Sequence, residues 1–127
     1  MKTTETIYKQ HAENTEWANK LLFYKDEISI LKNRLAEIAS KNSGKEVLAQ
    51  VEHFQNQFII QRNTIDEIMH VIKINEEELQ KEIDSNPVAV DHRKTIYHAK
   101  EKDLVESFEK NFNEIRTEFK LFLAKWM

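Results

Sequence analysis

The stretch IASKNSGKEV, residues 38–47, holds the only glycine of a 127-residue chain, Gly44. It reads as the end of one helix and the start of another. Asn42 is a residue type that takes the left-handed turn closing a helix. Ser43, with Glu46 three positions on, has the spacing of a capping box that opens the next one. The only proline, Pro87, marks a second break. Asn86 before it suits an N-cap, and proline costs nothing at the first helical position. The two breaks divide the chain into pieces of about 40 residues, each ~60 Å long as a helix. The spacing predicts helices over about 4–41, 44–84 and 87–126, joined by turns short enough to make neighbours antiparallel.

Each piece carries an apolar seam at alternating three- and four-residue steps, the period of a supercoiled bundle. The first seam runs Trp17, Leu21, Tyr24, Ile28, Leu31, Leu35, Ile38. The second runs Val47, Val51, Phe54, Phe58, Gln61, Ile65, Ile68, Ile72, Asn75, Leu79, and the third Val105, Phe108, Phe112, Ile115, Phe119, Phe122, Trp126. β-Branched residues recur at helical rather than alternating spacing, so strand signals are absent. The fold expected is all-α: one domain, an antiparallel three-helix bundle of long, coiled-coil-like helices. Gln61, a polar residue inside a seam, needs a hydrogen-bond partner, and Tyr24 is the candidate.

A second stripe flanks the seam on two of the helices. On the first it comprises Phe23, Glu27, Ile30 and Arg34, and on the second His53, Gln57, Ile60 and Thr64. Antiparallel pairing sets Ile30 level with Gln57, Arg34 with His53 and Glu27 with Ile60, and brings both flanks to the same side of the pair. A mixed surface of Phe23, Glu27, Ile30, Arg34, His53, Gln57 and Ile60 suits a helical partner, with apolar burial and charge-assisted contacts to fix register. The third helix is the competing cover for that surface.

Away from Gly44 all three seams turn polar. The first continues backwards through Asn14 and Gln10, the second reaches Asn75, and the third reaches Glu101, His98 and Lys94. His11, Asn14, His98 and Glu101 are therefore candidate ligand-binding residues. A carboxylate-bridged metal pair needs two Glu-x-x-His motifs and two further Glu in a four-helix core. This chain offers Glu67-x-x-His70, whose His points outward, and the reversed pair His98-x-x-Glu101, so no metal or other cofactor is expected. Glu101 falls in the seam, where a buried carboxylate must find a partner or take a proton.

Composition excludes several function classes. With no cysteine there are no disulfides, thiolate metal sites or cysteine nucleophiles. One glycine leaves no phosphate loop or dinucleotide fingerprint, and no serine has the context of a nucleophile elbow. A formal net charge of −3, with Lys and Arg interleaved among acids, offers no basic face for nucleic acid. Basic and acidic residues number seven against six over 1–43, four against nine over 44–86, and eight against seven over 87–127. The acidity is concentrated between Glu76 and Asp84, a stretch able to attract a basic partner. The run EKDLVESFEKNFNEIRTEFK, residues 101–120, reads as a solvated face with i,i+4 Glu-to-Lys pairs. No apolar run nears the ~18 residues of a membrane span, and residues 1–17 lack the apolar core of a signal peptide, which predicts a cytoplasmic protein. The expectation is a non-enzymatic interaction or scaffolding protein, a homodimer through the first two helices or a partner of another helical protein. The alternative is a bundle binding a metal or small ligand at its polar end.

Overall fold

Between Lys41 and Lys45 the chain reverses direction in three residues, Asn42, Ser43 and Gly44. The computed structural model describes the backbone of residues 2–85 and 92–127 and the side chains of residues 8–81, 84 and 98–127. Helix α1 spans Lys2–Lys41, α2 Lys45–Ser85 and α3 His92–Trp126, and no strand occurs among the described residues. The proposed cap at Asn86 and helix start at Pro87 lie outside them.

The first turn differs from the expected one in two respects. Leu48 N–H donates to the Gly44 carbonyl at 3.1 Å, so the hydrogen-bond ladder of α2 starts at Gly44. The Ser43–Glu46 box is therefore one residue out of register, because the capping position belongs to Gly44. Asn42 does not turn left-handed, since no described residue has positive φ. Its side chain instead donates from Nδ2 to the Ile38 carbonyl at 2.9 Å, satisfying one of the acceptors that a helix C-terminus leaves open. Lys41 in the same last turn complements the helix dipole.

Cross-helix pairs fix the topology. Lys25 on α1 reaches Asp66 on α2, while His11, earlier on α1, meets Glu76, later on α2. Position falls on one helix as it rises on the other, so α1 and α2 are antiparallel. Lys20 meets Glu109 and Glu27 meets Arg116, which makes α1 and α3 parallel. The three seams close on one another as expected. Phe58, Phe112, Phe119, Leu21, Ile28, Leu35 and Ile65 are fully buried. Near the Gly44 end, Phe119 meets Phe54 and Phe58 edge-on at centroid distances of 5.2 and 5.1 Å. Each buried phenylalanine contributes about 1.5–3 kcal/mol by burial, and edge-on ring geometry adds to it.

The α1–α3 junction is carried by long polar side chains. Tyr24 Oη donates to Glu109 Oε2 at 2.8 Å and Lys20 Nζ to Glu109 Oε1 at 3.2 Å. Arg116 Nη2 donates to Glu27 Oε1 at 2.8 Å, and its guanidinium lies 4.8 Å from the Phe112 ring centre. Glu109 and Arg116 belong to the run expected to be a solvated face; the structure turns them to α1 instead. Tyr24 is thereby committed to Glu109 and does not partner Gln61. The Gln61 Oε1 is buried with no hydrogen bond among the described residues. Burial and the Glu109 carboxylate push the Tyr24 phenol above its ordinary pKa.

Candidate functional site: the α2–α3 groove and the polar layer

The flanking stripes of α1 and α2 do lie on one side of their pair, and α3 occupies that side. Glu27 is held by Arg116 of α3. Ile60 and Thr64 line a groove whose opposite wall is Ser107, Phe108 and Asn111 of α3. The seven residues expected to form one open surface are thus parted into two margins. Phe23 and Ile30, 67% and 59% exposed, stand on the α1 margin with Arg34 and the half-buried Glu27. His53, Ile60 and the half-buried Gln57 stand on the α2 margin. Arg34 pairs with Glu37 on its own helix at 3.7 Å.

The polar end is a real layer within the core. Gln10, Asn14 and Glu101 are all buried. Asn14 Nδ2 donates to Glu76 Oε2 at 2.8 Å, and the other Glu76 oxygen contacts His11 Nδ1. His98 stacks on Trp17, ring centres 4.8 Å apart, with its Nε2 3.4 Å from Glu13 Oε2. The four candidate ligands therefore divide. His11 and Asn14 gather on Glu76 at the α1–α2 side, whereas His98 turns to Glu13 and Trp17. Among the described residues no three His, Asp or Glu side chains are arranged to hold a metal ion. Lys94, where the third seam continues past His98, lies outside the described side chains.

Glu101 is 2% exposed, and neither carboxyl oxygen has a hydrogen-bond partner among the described residues. Burial, reinforced by the nearby Glu76 carboxylate, raises its pKa to about 8. Seam periodicity singled this residue out; nothing in the sequence showed that it would remain unpaired.

The ligand-sized spaces are open grooves between helices, which a tightly filled seam did not lead us to expect. One of about 500 Å³ lies between α1 and α2, floored by Ala18, Met69 and Ile72 and rimmed by His11, Asp66, His70 and Glu76. The groove between α2 and α3 holds two hollows of about 440 and 350 Å³, with Val71 and Leu104 lining both. Its walls carry Ile60, Val71 and Leu104, all exposed, and Ile74 is exposed on the same stretch of α2. Glu101 lines the larger hollow and Gln61 the smaller; both carry a buried polar atom with no hydrogen bond among the described residues, as do Asn14, His98 and Trp126 elsewhere in the seams. Sequence periodicity missed Val71, Ile74 and Leu104; their one signal was apolar character just outside the seam.

These features define a class: an antiparallel three-helix bundle with an apolar groove on one face and a polar layer at one end. No known protein family, curated protein or solved structure matches the chain. No helix among the described residues is long and apolar enough to cross a membrane.

Proposed function

We propose that this protein is a non-catalytic helical interaction protein that seats an amphipathic helix of another chain in the α2–α3 groove. The observation that carries the reading is the row of exposed apolar side chains, Ile60, Val71 and Leu104, along a preformed furrow. Apolar side chains gathered along one furrow mark binding surfaces more often than scattered ones do, and a helix laid in an apolar groove is a recurrent recognition mode. A fourth helix there would complete a four-helix bundle.

The test uses a labelled peptide of leucine-faced helical design and fluorescence anisotropy on the full chain. Binding is expected to weaken at least about tenfold in a double Ile60→Lys, Leu104→Glu variant, the loss of two apolar contacts. It should persist in Phe23→Lys, Ile30→Lys, which alters the other margin. The reverse pattern overturns the groove. Homodimerisation through the α1 and α2 margins is the second reading, supported by the exposure of Phe23 and Ile30. It predicts a dimer by native mass spectrometry that Ile30→Lys converts to monomer.

A further inference from the structure

We infer that one proton controls the α2–α3 groove: the groove holds its partner helix while Glu101 is protonated and releases it when that carboxyl ionises. The inference rests on the groove being the binding site, and adds how that site is regulated.

Glu101 belongs to the α3 side of the larger hollow, across from Val71, Asn75 and Glu78 of α2, yet it is buried in the seam. Leu104, three residues further along the same helix, lines both hollows. The buried carboxyl and the apolar wall of the groove are therefore neighbours on one turn of α3. Displacement of one displaces the other.

The charges around Glu101 set the direction of the effect. On α1 the ionisable groups of this polar end are His11 and Glu13, paired with Glu76 and His98. On α2 they are Glu76 and Glu78, and on α3 His98 and Lys100, with Tyr97 and Lys94 one and two turns before Glu101. No described cation pairs with Glu101, whose oxygens accept no hydrogen bond among the described residues. The Glu76 carboxylate, anchored by Asn14 and His11, is the charge that acts on it.

With a proton on Glu101 that repulsion is absent and the seam closes over a neutral group. Once ionised, Glu101 is an unpaired buried charge facing another carboxylate across the α2–α3 junction, a costly state that movement towards water relieves. The open space beside it is the larger hollow, where Asn75 and Lys100 stand. Glu101 moving into that hollow takes the room of a partner helix and lifts the Leu104 turn from α2. Towards Gly44 the buried Val105, Phe108 and Phe112 hold the rest of α3, so the change stays at the polar end and the bundle survives it.

The test is a pH titration of binding to the full chain. The probe is a leucine-faced helical peptide, capped at both ends, with only serine and glutamine on its polar face, so that nothing in it titrates. Its affinity for the parent is expected to weaken about tenfold between about pH 7 and pH 9, because one unit above about 8 a tenth of the chains keep the proton. In Glu101→Gln the affinity should be the same at both pH values, with circular dichroism confirming the fold. Glu76→Gln should move the parent's midpoint to lower pH, since it removes a charge that favours the proton. A second readout needs no peptide: Trp17 stacks on His98, and in Trp126→Phe it is the sole tryptophan. Its emission should shift to the red from about pH 7 to pH 9, and not when Glu101→Gln is added. Affinity independent of pH in the parent, or falling equally in Glu101→Gln, overturns the inference and leaves the groove standing, provided that Leu104→Glu abolishes binding at about pH 7. Binding insensitive to Leu104→Glu, or absent at millimolar peptide at that pH, overturns both.

Discussion

A buried carboxyl group favours its protonated form, and Glu101 shows what that means for stability. Burial and the Glu76 carboxylate lift it to about 8, whereas in the unfolded chain it titrates near its ordinary value of about 4.3. Between those values the folded state holds a proton that the unfolded state has released. The stabilising contribution is therefore complete below the lower value and is lost as pH rises, at up to about 1.4 kcal/mol per pH unit, until it levels off above about 8. Replacing Glu101 by Gln should flatten the melting temperature over about pH 5 to 8 and leave the variant more stable than the parent at the upper end. His11, His98, Glu13 and Glu76 are common to both proteins, so the difference isolates position 101. Parallel curves would show that Glu101 is not buried in solution. The seam pattern pointed to this residue because a 3-4 repeat names inward positions without regard to chemistry. It failed for Gln61 because the partner of Tyr24 depends on how α3 is rotated, and one helix's repeat does not contain that.

Among the elements, the turn at Gly44 was located correctly and explained wrongly. Its glycine is required neither by backbone conformation, since φ is not positive, nor by space, since a Cβ there would meet only Val47 Cγ1 at 3.7 Å. Because Gly44 holds the N-cap position of α2, serine there can accept from the helix's open N–H groups. Serine also lowers the conformational freedom of the unfolded chain. Gly44→Ser is expected to stabilise by about 0.5–1 kcal/mol, read as a rise in melting temperature. A fall would mean the turn needs glycine after all. Asn42 was misjudged for a related reason: a side-chain bond to Ile38 and a left-handed backbone both close a helix, and residue type alone does not choose between them. The outer end of α2 and the start of α3 are a different case, since residues 86–91 lie outside the described structure.

For the whole molecule, three amphipathic seams sufficed to give the bundle, but not the side of the α1–α2 pair on which α3 lies. Either placement buries the same seams. The choice falls to long polar side chains, Glu27 with Arg116 and Lys20 and Tyr24 with Glu109. Glu109 and Arg116 look like ordinary solvated charges in sequence, and this is why the flanking stripes of α1 and α2 read as one open surface although α3 lies between them. The same arrangement orders assembly in time. Across the three-residue turn at Gly44, α1 and α2 can close like a zipper from contacts near in sequence, whereas the α1–α3 bonds join residues 85 to 89 positions apart. Distant closure costs more chain entropy before any contact rewards it, so α3 should arrive after the hairpin has formed. In a chevron experiment Leu35→Ala, within the hairpin, is expected mainly to slow refolding, while Arg116→Ala mainly speeds unfolding. Equal partition in both variants would mean that the three helices condense together. A late-docking α3 would leave the groove it shares with α2 as the last feature of the molecule to be built, so a partner helix could meet its seat only after the hairpin had already committed to its own register.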